Sequence, residues 1–322
     1  MTSKDERETR GRAASAKAQR WVFIVNPVAG NGYGAGCAAT VRQMMERHGA
    51  TGEVVLTRAK GHATELAAEY TAKGYPLIVG VGGDGTLGEI AQALVGKTGV
   101  TFGAVAAGTG NDFIHILGFP DRFADAQWQA LFDGATQDMD VGRCNGKYFI
   151  NGMGLGVDAQ IAAENYDRVN GRVRGGSKAK YTWHIIKNIL FYREKPMKIT
   201  MDGKVEEHRT FLNTIANGRR LAGGLQLTPR AIANDGLLDI CTTLPLGLFK
   251  RFGIFGEVRK AAHLANPAVR YFQTAKIDYE YREEAPAHLD GELMFATRFA
   301  VDILPGALRT IYDPQGPHYF KV

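Results

Sequence analysis

From Trp21 onward, short uninterrupted apolar runs alternate with longer stretches whose apolar residues return every three or four positions. The runs are WVFIVN, GEVVLT, PLIVGV and TFGAVAA, and between them lie the Cys37 to His48 segment, HATELAAEYTAKG and TLGEIAQAL. An uninterrupted run suits a strand covered on both faces, whereas the longer period suits a helix with one buried side. Their alternation predicts βαβ units and a mainly parallel sheet over 21–140. Beyond about Asp140 the pattern changes, and KYFIN, MKITM, LDICTTL, AKIDYEY and FAVDIL are separated by Gly, Pro or Asn turns. These predict a second, mainly antiparallel β domain over 141–303. One stretch there, KAKYTWHIIKNILFYREK, keeps helical spacing between basic ends. Its apolar residues Ile185, Ile186, Ile189 and Leu190, with Trp183 and Tyr192, suit either a packed face or one turned to a membrane.

Composition narrows the class. A chain of 322 residues, 45% hydrophobic and 22% charged, is globular and long enough for two cores. No run approaches the roughly 18 to 20 apolar residues that cross a bilayer, and the first twenty residues lack the apolar stretch of a secretory signal. A cytoplasmic protein is expected. The net charge of +6 is modest, and residues 1–20, with Lys4, Arg7, Arg10, Arg12, Lys17 and Arg20 against Asp5, Glu6 and Glu8, supply half of it. This segment reads as a disordered basic arm. A second basic run, Arg168, Arg172, Arg174, Lys178 and Lys180, precedes the helical stretch and suits an anionic surface, although the modest net charge is not a nucleic-acid signature. Cys37, Cys144 and Cys241 are widely spaced and form no CxxC, so buried thiols are expected. None of the eight histidines falls in a metal-binding spacing, which leaves them surface or core roles.

Glycine-rich turns follow three of the predicted strands, after Asn26, Gly80 and Ala106. Gly82-Gly83-Asp84-Gly85-Thr86 lies between an apolar strand and an amphipathic helix, where backbone amides and a helix N-terminus suit a phosphate. Asn26 to Gly32 and Gly108-Thr109-Gly110-Asn111-Asp112 add small residues, hydroxyls and amides. A lone glycine-rich turn is usually only a turn, but three at successive strand ends favour a shared phosphate site. Gly80, Gly82 and Gly85 also satisfy GxGxxG, yet Asp84 would then stand beside a pyrophosphate and the next strand lacks the ribose-binding acid. Gly96-Lys97-Thr98 imitates the end of a Walker A loop but follows a helix, with Ala91 where its first glycine belongs.

Taken together, NPVAG at 26–30, GGDGT at 82–86, GTGND at 108–112, NGRRLAGGLQLTPRAIANDGLLD at 217–239 and LDGE at 289–292 resemble the diacylglycerol kinase catalytic-domain family, which includes soluble bacterial lipid kinases related to diacylglycerol and sphingosine kinases. The resemblance runs from about Trp21 to Leu308. It implies a NAD kinase/diacylglycerol kinase-like α/β domain, a β-sandwich-like second domain, and a final segment, 304–322, returning to the first. It also implies that Asn26, Thr57, Gly83 to Glu89 and Thr109 line an ATP site, with Asp84 and Thr86 near the phosphates. A structural Mg²⁺ is implied at the Asp235 carboxylate and the carbonyls of Ile232 and Leu237, oxygen donors that suit a hard cation. The sequence departs from the family at Gly88, where Asn is usual, and at Ala106-Ala107, where Pro-Leu is common.

The resemblance implies transfer of the ATP γ-phosphate to a lipid hydroxyl, with diacylglycerol or a related lipid as acceptor. Such transfer needs a positioned nucleophile and neutralised phosphate charge. Asp290-Gly291-Glu292 offers two carboxylates which, in an extended segment, point to one face. On that reading Glu292 accepts the hydroxyl proton while Asp290 orients it or joins a Mg²⁺-linked network. The same tripeptide also suits a solvated β-turn, and Asn234-Asp235-Gly236 a hairpin turn. Asp158, in GLGVDAQ, reads as a turn or cap residue or as a lipid contact. The expected partner is lipid at the inner membrane face, contacted peripherally; a homodimer is possible. Two other functions stay open: a NAD kinase-like nucleotide kinase and a catalytically silent lipid-binding regulator.

Overall fold

The computed structural model describes residues 20–164, 166–167, 172–173 and 178–322. The expected arm lies outside these residues except for Arg20, which opens the first strand and extends over the Tyr75 ring, 4.5 Å from its centroid. The side chains of the basic run at 168–180 likewise all fall outside the described part of the structure. The chain divides into two compact units: one comprises the described part of Met1–Val141 with Ala233–Asp235 and Pro305–Val322, the other Gly142–Ile232 with Gly236–Leu304.

The first unit is an α/β domain, built from β1 (Arg20–Val25), α1 (Tyr33–His48), β2 (Thr51–Leu56), α2 (His62–Ala72), β3 (Leu77–Gly82), α3 (Asp84–Leu94), β4 (Thr101–Ala106), α4 (Asp125–Asp133) and β5 (Thr136–Cys144). Its parallel strands lie in the order β2-β1-β3-β4, with Thr310 parallel beside Phe102 at the far edge. Apart from Arg20 and Thr101 at their starts, β1, β3 and β4 are buried throughout, as expected of strands covered on both faces. Trp21 and Phe23 pack against Phe132 of α4, at centroid separations of 5.1 and 6.1 Å. Each such ring contributes about 2 to 3 kcal/mol through burial. The chain leaves β1 through α1 to reach β2 on one side, and leaves β3 through α3 to reach β4 on the other. Right-handed crossovers place those two helices on opposite sheet faces, which opens a crevice at the carboxyl ends of β1 and β3.

Two expectations change here. Gly80 is not in a turn: it lies inside β3, where a Cβ would come within 2.7 Å of Leu87 and 2.8 Å of Ile90, so its missing side chain lets α3 sit close to the sheet. The first helix begins at Tyr33 rather than Cys37.

The second unit contains β6 (Lys147–Phe149), β7 (Gly152–Gly156), α5 (Val157–Glu164), β8 (Tyr166–Asp167), β9 (Arg172–Val173), α6 (Lys178–Phe191), β10 (Pro196–Met201), β11 (Lys204–Arg209), β12 (Leu212–Ala216), β13 (Leu238–Thr243), α7 (Leu248–Arg259), β14 (Val269–Thr274), β15 (Lys276–Leu289) and β16 (Glu292–Ile311). The strands β14-β13-β12-β7-β15 pair antiparallel in that order, and β15 also pairs with β10 and β16. One core lies among Met153, Leu155, Ile240, Tyr279 and Phe299. A second, with Val157, Ile189, Phe211, Ile254 and Val258, is built where α5, α6 and α7 contribute their apolar sides. All three cysteines are free and buried; burial raises the Cys37 thiol and pushes Cys144 and Cys241 to about 12.

Candidate functional site

In the first unit the sheet ladder continues past the strand ends into the three glycine loops. Asn26 N–H donates to Val81 O at 2.9 Å and Ala107 N–H to Gly82 O at 2.8 Å, which holds the loops after β1, β3 and β4 side by side. The Asn26 side chain then crosses to the second loop: its Nδ2 donates to Thr86 Oγ1 at 2.9 Å, while its Oδ1 accepts the Val28 N–H at 3.1 Å. Asp84, in the first turn of α3, accepts the Phe113 N–H at 2.9 Å and so ties the second loop to the short turn after the third. The backbones of Gly83 and Gly108 touch, and a Cβ on Gly108 would collide with the Gly83 Cα.

The remaining candidates take distinct places. Asn111 is buried with φ +54, and its amide is spent on Gly108, accepting its N–H at 2.9 Å and donating to its carbonyl at 3.1 Å. Its work is to shape the third loop. Thr109 is exposed at the tip of that loop. Thr57 follows β2, donating its N–H to Val25 O at 2.9 Å, and Glu89 accepts the Gly61 N–H at 2.9 Å from the same β2–α2 connection. No side chain caps α3 at Gly83, so the helix presents its first amides and the positive end of its dipole among the three loops. That arrangement can hold a chain of phosphates.

In the second unit the Asp290-Gly291-Glu292 expectation is corrected. Asp290 has φ +46 and Gly291 φ +87, the paired positive values of a two-residue hairpin turn, with Leu289 opposite Glu292 across the β15–β16 pair. The segment is not extended, so the two carboxylates do not share a strand face. Asp290 accepts the N–H groups of Ile150, Asn151 and Gly152 at 2.7, 3.1 and 2.9 Å, and its own N–H donates to Gly152 O at 2.9 Å. These charge-assisted bonds hold the bend leading into β7. Glu292 is exposed.

Beside this turn is a pair that the sequence did not single out. His288 Nε2 lies 3.0 Å from Asp158 Oδ2, across Gly154 of β7, which His288 faces in the β15 register. Asp158 is in the first turn of α5, as a cap-like acid would be, but it also holds this contact. Burial pushes the His288 imidazole down, yet the bond and charge of Asp158, helped by Asp290, outweigh that and raise it above its ordinary value. The pair borders a cavity of ≈ 60 Å³ whose other walls include Leu221, Leu227, Ile254 and Val258.

The Ile232 to Leu237 loop is held by backbone bonds. Asp140 N–H donates to Ala233 O at 2.8 Å, Ala233 N–H to Tyr319 O at 3.0 Å, and the Asn234 amide exchanges bonds with Lys321 at 3.0 and 2.7 Å. Among the described residues no group of three or more His, Cys, Asp or Glu side chains could hold a metal ion. A cation at this loop would therefore need main-chain oxygens beside a single carboxylate. The Asp235 carboxylate with the Ile232 and Leu237 carbonyls, around a bend at Gly236 (φ +77), is such a hard-oxygen set and fits Mg²⁺ in kind.

Comparison with known proteins agrees with this architecture. Residues 20–144 match the diacylglycerol kinase catalytic domain, and residues 127–312 match the YegS C-terminal NAD kinase beta sandwich-like domain. A probable lipid kinase YegS-like of Pseudomonas aeruginosa is 30% identical over 264 residues, 82% of this chain and 85% of that protein. The diacylglycerol kinase of Bacillus subtilis is 26% identical over 271 residues, 84% of this chain and 88% of its own. A solved diacylglycerol kinase structure from Bacillus anthracis superposes with a TM-score of 0.69 at 25% identity, covering 92% of this chain and 97% of that one. The chain belongs to the diacylglycerol kinase catalytic-domain family, with the YegS-type arrangement of a catalytic domain followed by a β-sandwich-like domain.

Proposed function

We propose that this protein is an ATP-dependent lipid kinase that moves the γ-phosphate of ATP onto a hydroxyl of diacylglycerol or a related lipid. The observation that carries the proposal is the convergence of three glycine loops on the uncapped start of α3, in a chain of this family. Asn26, Gly82, Gly83, Asp84, Gly85, Thr86, Gly108 and Thr109 hold the nucleotide, and Thr57 and Glu89 border it. Asn111 keeps the third loop in shape. Glu292 accepts the proton of the attacking hydroxyl. Asp290 is a positioning residue, because its carboxylate is engaged by three backbone amides. Mg²⁺, where bound by Asp235, Ile232 and Leu237, supplies fixed positive charge and stiffens that loop.

Because a lipid acceptor sits in a bilayer, the protein works at the inner membrane face through peripheral contact, and among the described residues no helix is long and apolar enough to cross a membrane. The test is incubation of purified protein with labelled ATP, Mg²⁺ and a panel of diacylglycerol, sphingoid bases and NAD. Label in diacylglycerol or another lipid is expected. Label only in NAD, or in nothing, overturns the reading.

A further inference from the structure

The second unit carries an exposed apolar surface that phosphoryl transfer does not use. Of the eleven large hydrophobic residues exposed among the described ones, six lie on α6 and α7: Trp183, Ile186, Phe191, Leu248, Phe249 and Phe252. Phe249 is 91% exposed, Phe191 72% and Phe252 46%, far from what a helix of a globular domain normally turns to water. The inward side of α7 is already supplied by Arg251, Ile254 and Val258, so Leu248, Phe249 and Phe252 at its start are left facing outward.

The ends of these two helices are fastened together. Buried Arg251, in the first turn of α7, donates to Ile189 O of α6 at 3.0 Å, pairs with Glu194 at 2.6 Å, and donates to Leu246 O at 2.9 Å. The three exposed phenylalanines therefore lie at joined helix ends. An apolar hollow of about 600 Å³ opens beside them, walled by Leu244, Pro245, Leu248, Phe249 and Pro267.

The charge around this surface selects its occupant. From Leu248 to Lys260 there are four cations and one acid, Glu257, which is bonded to Asn266. Lys250, Arg259 and Lys260 are exposed, and so is Arg193 just after α6, whereas Lys187 on α6 is exposed but paired with Glu164 at 3.3 Å. A second copy of the chain would set these cations against each other, whereas an anionic bilayer complements them.

We propose that the start of α7, with Leu248, Phe249 and Phe252, inserts into the interface of an anionic bilayer beside Phe191, while Lys250 and the neighbouring cations meet the headgroups. This rests on the lipid-kinase reading for its purpose but not for its measurement. Aromatic side chains flanked by Lys and Arg are the composition that binds such interfaces.

The test uses the full chain and cosedimentation with vesicles of phosphatidylcholine alone or mixed with phosphatidylserine. Wild type should bind the mixed vesicles, less so as salt rises. F249S/F252S should bind them roughly tenfold or more weakly, while phosphorylation of short-chain diacylglycerol in detergent micelles persists. Phe249→Trp should retain binding, since Trp favours the same interface. Unchanged vesicle binding by F249S/F252S overturns the proposal. So does loss of micellar activity together with binding, which would assign the phenylalanines to the fold or the substrate pocket, and so does a change in self-association in place of vesicle binding. Failure of wild type to phosphorylate any lipid would sink the kinase reading alone, because vesicle binding reads the docking surface directly.

Discussion

His288 and Asp158 meet at 3.0 Å over the α-carbon of Gly154, and a Cβ there would overlap both side chains. Gly154→Ala should therefore break the pair or push β7 away from it. Overpacking of this kind costs about 1 to 3 kcal/mol, to be read as a lower midpoint in urea denaturation.

The same pair gives stability a pH dependence. The folded state holds the His288 proton more tightly than the unfolded state, because the folded value lies above 6.5. The pair's ionic contribution is thus complete below the unfolded value and is lost as pH rises through the folded one. Unfolding of wild type and His288→Gln should differ most below the unfolded value of about 6.5, and the difference should shrink as pH rises through the raised folded value. A difference that stays constant over that range would show that the imidazole is not charged in the pair.

Asp290 and Glu292 are predicted to fail differently. Asp290→Ala removes the acceptor of three amides and should cost about 3 kcal/mol of stability, with activity falling as the turn loosens. Glu292→Gln, at an exposed position, should leave the unfolding midpoint nearly unchanged and lower kcat by roughly 10² to 10⁴ with ATP binding intact. Full turnover by Glu292→Gln would remove it from the chemistry.

This contrast also shows where sequence reading stops. The alternation of apolar runs and amphipathic stretches located β1 to β4 and the helices between them, because both signals are local. Asp290 was legible both as a functional candidate and as a turn residue, but not as the acceptor that holds the bend before β7, since its partners Ile150 and Gly152 are 140 and 138 residues away. His288 and Asp158, 130 residues apart, gave no spacing to notice. The early start of α1 was hidden by Gly34 and Gly36, which weaken helical periodicity; a Cβ on Gly34 would collide with Asn26 O, so that glycine lets the helix approach the first loop.

The last prediction concerns the contact between Gly83 and Gly108. A methyl group on Gly108 would strike the Gly83 Cα and lie 2.8 Å from Asn111 Oδ1, the atom that accepts the Gly108 N–H. Gly108→Ala must therefore separate the second and third loops or release Asn111. Neither change touches the core: the strands behind the loops remain paired through β3 and β4. The expected result is a raised KM for ATP and weaker ATP binding by calorimetry, with a KM for the lipid close to wild type. Asp84→Ala should act in the same direction, because it frees the Phe113 amide and loosens the same pair of loops from the other side. If Gly108→Ala binds ATP as tightly as wild type, the phosphates do not lie where these two loops meet.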